Sequence, residues 1–494
     1  MTYRTAIPRG QSSAAVIGAI SVLAFLPGCT VGPNYIQPSA PVSKQYDQQA
    51  EKQLSTNRTQ RISPDQKITG DWWSAFNSAK LDQVMHLAID SNFDLAAADA
   101  TIAQANEAVT SAKGGLYPQV NYDAQIGRQR ADAGGLLKPK TGSFYAVGPA
   151  ANFDFDVFGG TKRLVEKQAA LADFQKHRYD AAYLTLSGDI AVQALLLASA
   201  RAQIDAVQVL IGDDRTNLDL TRLARLTGSV AEVDVALAET QLSLDQTLLP
   251  PLVQQSATAR HALSVLAGKG PNDWGPPDFD LTDFTLPPDL PVTLPSEVAL
   301  NRPDILEAAA ELHAASAEIG VATADFYPHL TLSGFVTQTA VGASSPFGPG
   351  FALSGIAAGL AGPVFHGGTL KANRRGAIDG YNASLAAYRQ TVINSLGQVA
   401  DALQAIYHDA EEYSAQDQAL NAAGVSLRLN RDGYREGETS VLQVLDAERA
   451  YQQALLGHIR AKTAQYLDTT ELFIALGGNS AGAFARRSAQ ENSK

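Results

Sequence analysis

The chain is written twice. Asp94-Leu95 precedes Leu116-Tyr117-Pro118-Gln119-Val120, and Asp304-Ile305 precedes Phe326-Tyr327-Pro328-His329-Leu330, at a constant offset of 210 residues. Val157-Phe158-Gly159-Gly160-Thr161 is answered by Val364-Phe365-His366-Gly367-Gly368-Thr369, with one residue inserted, and Gly228 to Glu239 by Gly437 to Glu448. Three blocks in one order make a duplication, and a duplicated chain must build the same supersecondary unit twice. That unit reads as helix, strand pair, long helix, turn, helix.

Proline marks where the helices lie, because it is nearly excluded from helix interiors. None of the 23 prolines falls between Pro149 and Pro250, and none follows Pro363. Thr161 to Arg225 and Thr369 to Arg435, rich in Ala, Leu, Gln, Arg and Asp at helical spacing, are therefore expected as two long helices. At ~1.5 Å per residue each approaches ~100 Å, which no compact core holds. Such helices share their faces with neighbours, in a coiled coil or a barrel. Beyond the N-terminal segment no run of ~18 apolar residues is expected, so a membrane crossing has to use strands.

The strand pairs follow the Tyr-Pro marks. Gln119 to Arg130 with Ser143 to Phe158 form the first, and His329 to Val341 with Phe351 to Phe365 the second. Alternation such as Val120, Tyr122, Ala124, Ile126 is the weak signature of a transmembrane strand. Between the strands lie the loops Ala131–Gly142 and Gly342–Gly350. From the strands alone, two soluble hairpins are an equal reading. If they enter lipid, four strands cannot close a barrel, since the smallest have about 8 and open edges leave backbone groups unsatisfied. Two, three or four chains would close it, and physics alone does not choose.

Arg4 and Arg9 ahead of the apolar run Ala14 to Leu26 read as an export signal, residues 1–28. It ends at Leu26-Pro27-Gly28-Cys29, a lipobox-like sequence around the only cysteine, with a plain secretory signal as the alternative. On the lipobox reading Cys29 is acylated, palmitate included, and becomes the mature N-terminus. Thr30 lacks the aspartate that retains lipoproteins at the inner membrane, so outer-membrane sorting follows.

Net charge of −12 and a pI near 5.2 argue against nucleic acid, which needs a basic stripe. No catalytic constellation is present. The eight histidines include no pair at i, i+4, and no phosphate-cradling glycine loop or Gly-x-Ser-x-Gly elbow occurs. Asp154-Phe155-Asp156 lacks the remaining ligands of a calcium loop and is expected as a strand end. Met1 and Met85 are the only methionines, which disfavours a copper relay. Trp72-Trp73 is expected to pack an N-terminal segment against helices. No enzyme, cofactor or metal is expected.

From Cys29 to nearly Gly478 the sequence resembles the outer membrane efflux proteins, TolC/OprM-like, and in particular their NodT-type lipoproteins. The resemblance is carried by Cys29-Thr30-Val31-Gly32-Pro33-Asn34-Tyr35 with Pro38, Trp72-Trp73 with Phe76, Asp156-Val157-Phe158-Gly159-Gly160, Arg302-Pro303-Asp304, Gly320-Val321-Ala322, Phe326-Tyr327-Pro328, and Gly437 with Leu445-Asp446-Ala447. It implies an α+β membrane protein. This is a homotrimer whose twelve-stranded outer-membrane β-barrel, four strands per chain, continues as a long periplasmic α-helical barrel with a mixed equatorial belt.

The segmentation it implies is 29–76 as a lipidated N-terminal segment, 77–267 as the first repeat with strand pair 119–158, and 268–300 as an equatorial linker. The second repeat is then 301–477 with strand pair 329–365, and 478–494 is a polar, unstructured tail. By the same resemblance the chain sits in the outer membrane, lipid-anchored, and reaches into the periplasm. It docks onto a periplasmic adaptor that links it to a proton-driven inner-membrane transporter of the RND type, and passively exports drugs or other toxic small molecules. A type I protein-secretion duct and a non-pore periplasmic coiled-coil protein remain alternatives.

The turns at Gly228 and Gly437 then form the periplasmic gate. Asp234 and Asp446 match acids ringing the closed aperture, and Leu442 matches an apolar constriction. Gln443 stands where secretion channels carry aspartate, and Tyr434 and Arg435 match latch residues across the turn. Three carboxylates around an axis repel one another and favour cations, which suggests pH-sensitive gating. As ordinary residues, Asp234 and Asp446 are solvated acids near helix N-termini.

Overall fold

The computed structural model describes residues 30–39, 45–55, 60–63, 71–131, 140–341, 351–478 and 482–491. The signal segment with Cys29, both strand-connecting tips (132–139 and 342–350) and residues 479–481 and 492–494 lie outside the described residues. The helices are α1 (Gln48–Leu54), α2 (Ala79–Ser91), α3 (Phe93–Gly114), α4 (Gly160–Leu226), α5 (Glu232–Leu266), α6 (Pro295–Asn301), α7 (Pro303–Ala324), α8 (Thr369–Glu436), α9 (Val441–Ala475) and α10 (Ala483–Glu491). The strands are β1 (Arg61–Ile62), β2 (Gln119–Ala131), β3 (Lys140–Phe155), β4 (Asp289–Leu290), β5 (His329–Val341) and β6 (Phe351–Ala361). Two compact units form, and each draws on both copies of the repeat: residues 1–37, 103–173 and 309–387 in one, and 38–102, 174–308 and 388–494 in the other.

The first unit carries a four-stranded antiparallel sheet in the order β2-β3-β5-β6. Each hairpin pairs its own repeat, Gln119 opposite Asn152 and His329 opposite Ala361. The ladder of β3 with β5 joins the repeats, from Phe144 opposite Val341 to Phe155 opposite Leu330. It skips Gly148 and Pro149, and proline has no N–H to donate. Two strands end earlier than the sequence suggests. β3 stops at Phe155 because the Asp156 carboxylate turns to accept from Thr161 N at 2.9 Å and Lys162 N at 2.8 Å, capping α4. β6 stops at Ala361, just before Gly362-Pro363.

In the second unit the two long helices end alike. Ser229 N donates to Ala224 O at 2.9 Å and Glu438 N to Gly433 O at 2.8 Å, with Gly228 and Gly437 at φ of 80° and 83°. This is the Schellman closure, which ties off orphan carbonyls and needs a left-handed residue. α5 and α9 end the same way at Gly268 and Gly477, through Lys269 N to Ser264 O and Gly478 N to Phe473 O, both 2.9 Å.

The core of this unit gathers Trp72, Trp73, Phe76, Ile190, Leu263 and Phe473. The Trp72 indole N–H donates to Ser187 Oγ at 3.0 Å, so its polar edge is satisfied at 2% exposure. A second cluster packs α1 and Leu290 of the short parallel β1–β4 pair against Val399, Leu403, Ile406 and Leu472.

Three features depart from the sequence reading. α5 carries Pro250-Pro251 in its interior, where each ordinarily costs about 3 kcal/mol. Leu248, Leu249 and Leu252 around them pack against Val207, Ile211 and Leu456, so tertiary burial holds the helix. α4 contains an 18-residue window apolar enough to cross a membrane, but 56% of that window is buried in the fold, which accounts for its composition. The tail is not all unstructured: Asp180, 3% exposed, accepts from Gly482 N at 3.0 Å and Phe484 N at 3.1 Å at the start of α10. Phe484 also meets the Tyr179 ring.

Candidate functional site

The two helix turns, Gly228 to Ala231 and Gly437 to Ser440, both lie in the second unit. Ser440 caps α9: its Oγ accepts from Gln443 N at 3.4 Å, and Gln443 Oε1 accepts from Ser440 N at 2.8 Å. In the other copy Asp234 Oδ2 accepts from Ala231 N at 2.9 Å. Asp234 and Gln443 therefore hold the same position in the two repeats, the third residue of a helix, reaching back to the cap. Asp446 lies one turn further along. Its side chain is 63% exposed and meets Arg449 at 3.5 Å.

Asp234, Tyr434 and Arg435 line one cavity of about 1070 Å3 together with Asn217, Thr221 and Val444. Leu442, Gln443 and Asp446 do not. Val441, Val444, Leu445 and Glu448 form the buried stripe of α9, and the three residues fall on its exposed side. Leu442 is left 51% exposed, an unpartnered apolar side chain beside two polar ones within this chain. Arg435 is exposed and pairs with Asp432 at 3.1 Å.

Above the turns the interior of the helices is polar, which the sequence reading missed. Glu448, 4% exposed, accepts from Arg431 Nη2 at 3.0 Å and from Asn217, and Arg431 also reaches Asp213 at 2.7 Å. Asp245 accepts from Gln452 Nε2 at 2.6 Å and Gln241 Nε2 at 3.0 Å, and Asp214 lies within hydrogen-bond reach of it. Asp214 Oδ2 and Glu448 Oε2 are buried without a hydrogen-bond partner. Burial pushes the Asp214 carboxyl up to about 8, reinforced by Asp245, Glu448 and Asp213. Burial also raises Glu448, with Arg431 pulling the other way.

A second pair, Asp409 with Asp468, repeats the situation, and burial then Asp468 push Asp409 up to about 8. The readable signal was an acid standing in an apolar stripe: Asp214 follows Val207, Leu210 and Ile211 at helical spacing. Among the described residues no cluster of His, Cys, Asp or Glu has the arrangement of a metal site.

Comparison with known proteins places this geometry. The family model for outer membrane efflux proteins matches twice, over residues 84–269 and 294–478, one match to each copy of the repeat. The chain is 29% identical over 425 residues to the pyoverdine export outer membrane protein OpmQ of Pseudomonas putida, covering 84% of this chain and 88% of that one. It is 28% identical over 463 residues to the cation efflux system protein CusC of Escherichia coli K12, covering 92% and 97%. The solved outer-membrane channel OprN superimposes with a TM-score of 0.80 at 25% identity, covering 91% of this chain and 99% of that one. With two family matches over most of its length and a TolC-like fold, the chain belongs to the outer membrane efflux protein family.

Proposed function

We propose that this chain is the outer-membrane channel of a tripartite, proton-driven efflux pump of the RND type, through which small toxic molecules leave passively. The observation that carries the reading is the sheet. Its order β2-β3-β5-β6 leaves β2 and β6 with open outer edges among the described residues. Unpaired edges in lipid cost several kcal/mol per group, so copies must supply the missing strands. Three copies give twelve strands, and the helices of the second unit reach a periplasmic adaptor coupled to the inner-membrane transporter. Cys29 carries the lipid anchor. The chain has no catalytic work to do in this role, and its relatives are efflux channel proteins.

The turns form the gate. In a trimer the exposed side of α9 brings three copies of Leu442, Gln443 and Asp446 to one axis, where carboxylates favour cations. Tyr434 and Arg435, with Asp234, hold neighbouring helices at the cavity they line. Asp446→Ala is expected to raise single-channel conductance several-fold and to weaken cation preference; unchanged conductance removes Asp446 from the gate. The reading as a whole is tested by planar-bilayer recording of detergent-solubilised protein, with its oligomer mass measured on the same sample. Small, mostly closed, cation-preferring pores formed by a trimer are expected, whereas a monomer without conductance overturns the channel.

A further inference from the structure

Side chains alternate along each strand, so the register gives the sheet two unlike faces. One carries Val120, Tyr122, Ile126, Phe153, Leu332 and Ile356, and Val120 and Ile356 are 70% and 85% exposed. The other carries Asn121, Asp123, Gln125, Asn152, Asp154 and Ser333. On this polar face a Cβ at Gly148 would stand 1.9 Å from Val336 O, so β5 leans over it and the sheet is concave there. A concave polar face backed by an apolar one is the wall of a barrel, water inside and lipid outside.

Toward the strand-connecting tips the inner face turns apolar. Phe144 stands opposite Gly127, and Phe335 opposite Gly355. A Cβ at Gly127 would lie 2.2 Å from the Phe144 ring, and one at Gly355 2.9 Å from the Phe335 ring. Each ring is therefore folded across the facing glycine, in the room that a side chain there would need. Leu353 and Phe351 take the next two inward positions of β6, opposite Thr337 and Thr339, and both are half exposed. From the level of Phe335, opposite Ala150, to that of Phe144 is six residues of β3, or ~20 Å. The charged positions of this face are Asp123 and Asp154, with His329 at one end of the ladder and Lys140 at the other.

We propose that the strand wall of the channel is itself selective: Phe335 and Phe144, joined by Leu353 and Phe351, form a track on which the ring of an aromatic organic cation rests as it leaves. Asp123, level with Leu353, and Asp154 attract its charge. This rests on the channel proposed above and names the chemistry its wall takes. An aromatic cation gains from the rings and from the carboxylates, whereas a metal ion or an aliphatic cation gains chiefly from the carboxylates. The facing glycines complete the arrangement. A side chain at Gly127 or Gly355 would drive the ring off the wall and into the bore, so glycine keeps both the track and an open passage.

The test is planar-bilayer recording of the full-length protein, with its native mass measured on the same sample. Two monovalent blockers are compared, tetraphenylphosphonium and tetrapropylammonium, of which only the first has rings. Tetraphenylphosphonium is expected to halve the current at a concentration about tenfold lower. Phe144→Leu with Phe335→Leu keeps the wall apolar but removes the rings, and is expected to cut that preference about threefold or more. Tyr122→Leu, on the lipid face, should keep it. Asp123→Asn is expected to weaken block by both cations alike. Gly355→Ala is expected to lower conductance, and Phe335→Leu added to it to restore the current. A conducting trimer blocked equally by both cations, or one whose preference survives the double Leu variant, overturns the track and leaves the channel standing. A sample that forms no conducting trimer overturns both.

Discussion

Purified protein is expected to resist denaturant less at pH 9 than at pH 5, and Asp214→Asn is expected to recover about half of the difference. Asp214 is 5% exposed on α4. It faces Asp245 from α5, Glu448 from α9 and Asp213 on its own helix. Gln241 and Gln452 bond Asp245, Asn217 and Arg431 bond Glu448, and Arg449 bonds Gln241. The Arg431 guanidinium is engaged by Asp213 and Glu448, and Arg449 reaches the cluster only through Gln241. A proton on Asp214 lets that carboxyl donate to Asp245 and removes one buried charge.

With its carboxyl pushed up to about 8, against about 4 in an unfolded chain, the folded protein binds more protons between those limits. The stabilisation is fully present below about pH 4 and is lost as pH rises through about 8. After relaxation and water entry, the loss is on the order of 2–3 kcal/mol for the site. Asn keeps the donor without the charge. Asp409 is raised in the same way, so Asp409→Asn is expected to remove a second, independent part of the slope.

Other carboxylates act in the opposite direction. Burial alone would raise Glu166, but Arg163 at 2.6 Å and His313 at 3.0 Å overcome it and hold it below the usual range. Its contribution is present above about pH 4.5 and disappears as pH falls below that. Urea midpoints at pH 5, 7 and 9 decide the matter. A slope unchanged in both Asp→Asn variants would show that these pairs titrate normally.

The long helices were legible to within a residue because glycine and proline punctuate them. Thr161 to Arg225 was expected and Gly160–Leu226 is found; Thr369 to Arg435 was expected and Thr369–Glu436 is found. The strand pairs were legible from their alternation, except at their ends. There the competition between ladder and helix cap at Asp156 is settled by hydrogen bonds that no local pattern shows.

Helix α10 was not legible, since the carboxylate that starts it, Asp180, lies 302 residues away in the chain. Nor was the prolyl pair inside α5, which only tertiary packing tolerates. At the turns, the offset changes from 210 in the first blocks to 209. Counting in the second frame aligns Asp234 with Gln443, and the cap geometry confirms that equivalence. The interior acids were overlooked because each stands alone in its own helix, and only folding brings Asp214, Asp245 and Glu448 together.

Arg302→Met is expected to destabilise the protein by about 2–3 kcal/mol, because the guanidinium is buried and bonds a helix-end carbonyl while its partner Asp304, 39% exposed, can still be hydrated. The duplication explains why so much rests on this residue. In the first repeat Asn92 manages the junction with a single amide. Its Oδ1 accepts from Asp94 N at 2.8 Å and Leu95 N at 3.1 Å, and its Nδ2 donates to Leu266 O at 2.9 Å, near the end of α5. The counterpart of Asn92 is Arg302, and the counterpart of Leu266 is Ala475. Arg302 Nη1 donates to Ala475 O at 2.7 Å, so both copies satisfy the same orphan carbonyl of a terminating helix.

Pro303 has no N–H to be capped, and the Arg302 fork instead grips Asp304 through Nε at 2.9 Å and Nη2 at 3.0 Å while also reaching Gln398. Arg302 is 8% exposed, so methionine fills much of the space yet leaves the Ala475 carbonyl without its guanidinium donor and the Asp304 carboxylate with only Ile305 N and Ser395 Oγ. Arg302→Lys should recover little, because a point charge cannot bond the carboxylate and the carbonyl in the fork's geometry. Asn92→Ala, which removes a neutral cap, is expected to cost only about 1–2 kcal/mol. Denaturant midpoints for the three variants compare the two junctions directly. Equal losses at Asn92 and Arg302 would mean that the carbonyl bond alone matters and that the Asp304 pair adds nothing.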